Sequence, residues 1–459
     1  MASRPLFTER VAPYAAMRKA ALVVATLVSA CATYSDRSME ARHSVEQGDL
    51  DGGVAGFNKL LKVDSADELP NDWKGDTALT VLERGMALHA LGRYAPSARD
   101  FGAAEKELEV LDISGDVAGS IGKYIYSDSA TKYKSPPTEK LALNAFNLLN
   151  YLARRDLAGA RIEAKRFSVM RKYLNDYDPD HAHGVFGSYL AGFVYEKLGE
   201  YDAALRYYDE ALAERDLQTL RAPLARLAPR TSYRTERLES YLAGAAPADQ
   251  EEPPPEILVI VNIGRVPYKV PERMPIGAAV GVAHAHMTGD PSLLKYGAFK
   301  VVVYPGLVAA PTVFDEATVS VDGKQIPLEL TTDLAAEVRR EYDALKPKII
   351  GAALTRMIAR AAAAEGARAA GNQAGKGNGV VGLLAALAVE GTMVALDKPD
   401  TRSWTLLPGR VLIARVAVPP GAHRVEVALR GPGGAQQDTA VEVELDAKNY
   451  AVVNITTLR

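Results

Sequence analysis

Residues 189–201 read YLAGFVYEKLGEY, and residues 202–214 continue DAALRYYDEALAE. Gly192 and Ala204 are small residues set where two helices can cross closely. Gly199 falls where the first helix must end, and Tyr208 is the bulky side chain that fills a groove between helices. The stretch therefore predicts a helical hairpin turning at residue 199. The same register recurs upstream at Gly85, Leu88, Gly92, Tyr94, Ser97, Phe101 and Ala104. A weaker copy holds Tyr151, Leu157, Ala160 and Ala164, with Arg155 at the turn in place of glycine, and a fourth holds Gly48, Leu50, Gly53 and Phe57.

This small, aromatic and turn-glycine pattern resembles the tetratricopeptide repeat. The turn positions 48, 92, 155 and 199 are separated by 44, 63 and 44 residues, whereas a contiguous array of that family has a period of about 34. Extra segments, notably residues 64–76 and 112–138, are expected between copies, so that the hairpins group in pairs. Arrays of this kind carry no catalytic machinery of their own and offer a concave surface to a peptide or protein.

Upstream of the repeats, Arg18 and Lys19 precede an apolar run at residues 20–28, and Val28-Ser29-Ala30-Cys31 follows. A basic patch, a short apolar run and small residues make a secretory leader, too short for a membrane span of about 20 residues. The last four residues resemble the lipobox of bacterial lipoproteins. That resemblance implies a signal peptide at residues 1–30, with Met17 as a candidate start, and lipidation of Cys31. Ala32, rather than an aspartate, follows the cysteine, which favours the periplasmic face of the outer membrane. Cys31 is the single cysteine, so there is no intramolecular disulfide and no cysteine-based zinc site.

Downstream, residues 243–256 read AGAAPADQEEPPPE, an extended proline-rich spacer that cannot continue a helix. Beyond it, eight short apolar or alternating runs are expected as strands, at residues 257–263, 299–304, 317–322, 326–330, 410–418, 423–429, 439–445 and 450–456. Asp322-Gly323 marks a hairpin turn, and the set suggests a β-sandwich. Between the two strand groups, residues 333–370 keep helical spacing with Pro347 as a break or kink. Residues 371–382 form a glycine-rich loop, and residues 380–396 a second apolar arm, together a helical hairpin. That arm has 17 residues and contains Glu390, so packing against the sheet is preferred to membrane insertion. Gly377 follows Lys376 where a phosphate-binding loop needs serine or threonine, so nucleotide binding is not expected.

The expected architecture is thus α+β and multidomain. A tetratricopeptide-like repeat domain covers residues 31–243, a proline-rich linker residues 244–256, and a β-sandwich-like domain residues 257–459 with a helical insert at about 333–396.

Chemistry-bearing residues are sparse. His181 with His183, and His284 with His286, are paired two apart, but they lie in different halves and are assigned surface or capping roles, so no metal and no cofactor are expected. Residues 400–404 read DTRSW, followed by Leu407-Pro408. In an extended chain Asp400, Arg402 and Trp404 share a side, so an aspartate–arginine pair can stand beside an indole that stacks on the guanidinium. This is expected to be a structural clasp or a site for a partner or ligand, with Arg415 on the following strand as a candidate further member. A balance of 54 basic and 57 acidic side chains, net charge −3, gives no reason to expect nucleic acid. No local motif of an enzyme is present, and none is expected.

The lipobox, the repeats, the middle segment at residues 141–166 with LNYLARRDLAGARIEAKR, and the DTRSW and LP residues together resemble a largely uncharacterised family of proteobacterial lipoproteins. The expectation is a lipid-anchored, periplasm-facing scaffold in the outer membrane that binds a protein partner in cell-envelope assembly. The alternatives are a peptidoglycan- or carbohydrate-binding lipoprotein reading through Trp404, and a cryptic hydrolase in the β-rich half.

Overall fold

Each of the four turn positions carries backbone in the left-handed region: Gly48 (φ 87), Gly92 (φ 72), Arg155 (φ 58) and Gly199 (φ 76). A computed structural model describes residues 33–110, 132–177, 184–243, 254–283, 301–374, 399–447 and 449–459. Around those four turns it forms helical hairpins from α1 (Tyr34–Glu46) and α2 (Leu50–Leu61), α3 (Thr77–Ala90) and α4 (Tyr94–Glu107), α5 (Pro137–Ala153) and α6 (Leu157–Tyr177), and α7 (Val185–Lys197) and α8 (Tyr201–Glu214). A helix that stops at a left-handed residue can reverse at once, and glycine does so without steric cost. Close approach within the hairpins also follows the small residues. A Cβ on Gly85 would lie 2.7 Å from the Phe101 ring, and one on Gly192 would lie 2.4 Å from the Tyr208 ring. Tyr208 thus packs on its own hairpin rather than filling a groove between neighbours.

Two short helices, α9 (Arg221–Leu227) and α10 (Glu236–Leu242), end the helical half. The spacer at residues 244–253 lies outside the described residues. The strands that follow are β3 (Glu256–Arg265), β4 (Tyr268–Pro275), β5 (Val301–Val308), β6 (Glu316–Val321), β7 (Lys324–Ile326), β8 (Glu329–Asp333), β9 (Pro408–Ala417), β10 (Gly421–Arg430), β11 (Gln436–Leu445) and β12 (Tyr450–Thr457). One four-stranded sheet has the order β11-β10-β6-β7 and is antiparallel; the other runs β12-β3-β9-β8, with β12 parallel to β3. A two-residue parallel pair, β1 (Glu109–Val110) with β2 (Lys134–Ser135), lies between α4 and α5.

β3 is buried along all its residues, which explains why its sequence is a continuous apolar run rather than an alternating one. Ile257, Val259, Val261 and Ile263 join a cluster with Val319, Val425 and Val427 of the other sheet. Leu258 and Ile260 face the opposite way, into a cluster shared with the helices. The first helices α3, α5 and α7 are buried along nearly their whole length and lie between the sheet and the second helices. Phe193 of α7 meets Tyr450 of β12 edge-on, with ring centroids 5.3 Å apart. A polar ladder crosses the same boundary. His89 contacts Asn150 Oδ1 through Nδ1 at 2.7 Å and Asn454 Nδ2 through Nε2 at 3.1 Å, which fits a neutral ring. Burial holds its pKa down at about 4.

Several expectations are corrected. The run at residues 326–330 is not one strand: β7 and β8 belong to different sheets, with the chain crossing between them. β4 adds a strand to those expected; it carries Pro271 and Pro275 and pairs with β5 in a separate two-stranded sheet. The proline at 347 does not break the insert. One 41-residue helix, α12 (Leu334–Ala374), passes through it and extends into the expected glycine-rich loop. Its buried face, with Tyr342, Leu345, Ile350, Leu354 and Met357, packs with β5 and the short helix α11 (Ile276–Ala283). The second arm at residues 380–396 lies outside the described residues.

Candidate functional site

Residues 399–407 run without regular structure into β9 and lie along the seam between the helices and the sheet. The local chain is fixed by its own first residues. Asp400 Oδ1 accepts from Arg402 N at 3.0 Å and from Nε at 2.9 Å, and Oδ2 accepts from a guanidinium Nη at 2.7 Å. Burial opposes ionisation of Asp400, yet the Arg402 hydrogen bonds and charge outweigh it and hold the carboxyl below its usual pKa. Arg402 also reaches Asp76 at 3.1 Å, and Asp76 is paired with Arg37 of α1.

The expected pair is therefore present, but the expected stack is not. The Arg402 guanidinium lies 5.9 Å from the centroid of Tyr133, and the Trp404 indole stands edge-on to Phe101 at 5.6 Å. Trp404 is 0% exposed, and its Nε1 has no hydrogen-bond partner among the described residues. Leu406 and Leu407 are buried beside it in the shared cluster.

Three carboxylates that the sequence reading did not single out hold this seam. Glu83 of α3 accepts from Thr405 N at 2.8 Å, Thr405 Oγ1 at 2.6 Å and Leu406 N at 2.9 Å. Burial pushes its pKa up to about 7 against those hydrogen bonds. Glu139, in the first turn of α5, accepts from Trp404 N at 3.0 Å and from the Tyr133 hydroxyl; burial raises its pKa. Glu341 of α12 accepts from Thr138 N at 3.0 Å and Oγ1 at 2.6 Å, and burial pushes its pKa up to about 7. The available signal was a charged residue inside an apolar helical run, as with Glu83 in residues 78–89.

Arg415 does not join this segment. From β9 it bonds Glu256 through Nε at 2.5 Å and Nη2 at 2.8 Å, Glu196 through Nη2 at 2.7 Å, and the Tyr208 hydroxyl through Nη1 at 3.0 Å. Burial works against ionisation of Glu256, but Arg415 and Lys197 prevail and hold its pKa low.

The seam is enclosed, and its acids are engaged by backbone and side-chain donors, so its geometry is that of a clasp joining the two halves of the chain. Cys31, His181, His183, His284 and His286 lie outside the described residues. Among the described residues no group of three histidine, cysteine, aspartate or glutamate side chains could hold a metal ion, and no helix is long and apolar enough to cross a membrane. No family model, no curated protein and no solved structure matches the chain.

Proposed function

We propose that the chain is a lipid-anchored scaffold of the cell envelope, tethered through Cys31 to the periplasmic face of the outer membrane and binding a protein partner. Its helical half is read as a tetratricopeptide-like array and its paired sheets as a β-sandwich-like support, in keeping with the lipoprotein family that its motifs resemble.

The observation that carries the reading is on α6. The face of the helical layer that would receive a peptide in a free-standing array is covered here by the chain's own β12, β3 and residues 403–407. On the outward side, Ile162, Val169 and Tyr173 are 55%, 70% and 45% exposed. Spacings of seven and four place them on one stripe of the helix. Burying the part of these side chains still exposed releases about 1 kcal/mol each at ~25 cal/mol per Å², a contribution that a helix-in-groove contact sums over its anchors.

The test is site-specific photocrosslinking from position 169 of the full-length chain in intact cells. A discrete adduct that disappears in Ile162→Glu/Tyr173→Glu supports the scaffold; an unchanged adduct pattern, or none, sinks it. Separately, Cys31→Ser is expected to move the chain from the membrane fraction to the soluble one.

The carbohydrate reading draws no support from Trp404, whose indole leaves no face for a sugar. The hydrolase reading needs a pocket beside the shifted acids, and Glu83, Glu139 and Glu341 line none of the described cavities.

A further inference from the structure

The largest described concavity, about 940 Å³, lies at the N-terminal end of the helical layer, between α1, α2 and the start of α3. It is lined by small residues, Gly52, Ala55 and Gly56, and by charged ones. Four cations line it, Arg37, Lys59, Lys62 and Lys74, against two acids, Glu40 and Asp76. Asp76 is already shared between Arg37 and Arg402, and Lys74 is paired with Asp72. Lys59, in the last turn of α2, and Lys62, its left-handed C-cap, are exposed and make no ion pair among the described residues. A basic groove of this kind stands out on a chain whose net charge is −3.

The chain enters at the lip of this groove. Tyr34, the first residue of α1, lines it, and Thr33 before it is fixed by a reciprocal capping box with Asp36. Only three residue steps separate Tyr34 from Cys31, which an extended chain spans in about 11 Å at most. An acyl group on Cys31 would therefore hold the Tyr34 lip of the groove next to the headgroups of an anionic surface, on the side of the chain that carries its unpaired lysines.

We propose that this groove binds the phosphate headgroups of anionic phospholipid in the leaflet that holds the anchor, a step that rests on the lipid-anchored reading above. The tether supplies proximity, and Lys59 and Lys62, assisted by Arg37 and Lys74, supply the charge that orients the helical layer on the membrane.

The test uses residues 33–459, which contain every residue of the three hydrophobic clusters and lack the leader and the acylation site. Cosedimentation with vesicles of equal parts phosphatidylglycerol and phosphatidylcholine at low salt is expected to show binding. That binding weakens at least about tenfold in Lys59→Glu/Lys62→Glu and falls with added salt. Pure phosphatidylcholine vesicles are expected not to bind. An unaltered unfolding midpoint in the double variant, whose two positions are exposed, checks that the fold survives. Equal binding to both vesicle types, or anionic binding indifferent to the charge reversal, overturns the proposal. So does binding of inorganic phosphate that depends on Lys59 and Lys62 together with no binding to the anionic vesicles, which would make the groove a site for a free anion. Mass spectrometry of the native chain reads the anchor independently. Acylated Cys31 without lysine-dependent vesicle binding removes only the groove, whereas vesicle binding without acylation removes only the anchor.

Discussion

Arg155 occupies a turn that glycine fills in the three other hairpins, and its φ of 58 places an L side chain in the left-handed region. That conformation costs about 1–2 kcal/mol for a non-glycine residue, while glycine loses about 0.5–1 kcal/mol more backbone entropy on folding. The exposed bond from Arg155 to the Glu444 carbonyl, at 3.3 Å, adds little in return. Arg155→Gly is therefore expected to stabilise the protein by about 0.5–1 kcal/mol, read as a higher denaturant midpoint.

Glu341 offers a second test at this scale, because one oxygen takes both bonds from Thr138, so glutamine can replace it without placing a donor against a donor. Its folded pKa, about 7, lies above the ordinary 4.5. Its contribution is thus fully present below about pH 4.5 and is lost as pH rises through 7. Glu341→Gln removes that dependence. It should match the wild type near pH 5 and exceed it at pH 8 by up to about 3 kcal/mol, measured by denaturant unfolding at the two values.

Among the elements, the hairpins depend on backbone approach that only glycine permits. Gly85 lies under Phe101 and Gly192 under Tyr208, sixteen residues apart in each case. Gly192→Val drives a branched side chain into the Tyr208 ring, whose hydroxyl also donates to Glu196 at 2.6 Å and so cannot swing away freely. A cost of about 1–3 kcal/mol from overpacking is expected, visible in thermal unfolding. The same substitution at Gly102, which has nothing within 4 Å of an added Cβ, should leave only the exchange of helix propensities, a gain of a few tenths of a kcal/mol because glycine is the poorer helix former.

For the molecule as a whole, the helical layer and the mixed sheet are two sides of one core. Leu258, Ile260, Trp404, Leu406, Leu407, Val411 and Ile413 from the second half belong to the same cluster as the helices. Glu83 and Glu139 bind backbone donors of residues 404–406, and Arg415 and Glu256 bind Glu196 and Lys197. Cutting the chain between residues 243 and 254 would expose that cluster on both pieces. We expect residues 33–243 alone to bind a hydrophobic dye and aggregate, and a Trp73→Phe variant, which leaves Trp404 as the one tryptophan, to lose its helical circular dichroism and its indole fluorescence in one shared transition. A stable, monomeric helical fragment would show that the two halves fold independently.

The sequence by itself determined the hairpin turns, including the one at Arg155, because left-handed chain reversals and helix-packing glycines are local demands written at fixed spacing. It also determined most of the strands, since alternation and apolar runs are local too, and the Asp400–Arg402 pair, two residues apart. Only the tertiary structure decided which faces remain open. The inner side of the hairpins is filled by the chain's own sheet, Trp404 turns into the core rather than toward solvent, and Arg415 pairs with Glu196, 219 positions away. Glu83, Glu139 and Glu341 acquire their roles in the same way, from donors brought to them by folding. Burial and charge pairing of this sort depend on what arrives from elsewhere in the chain, and no periodicity within a single segment encodes that arrival.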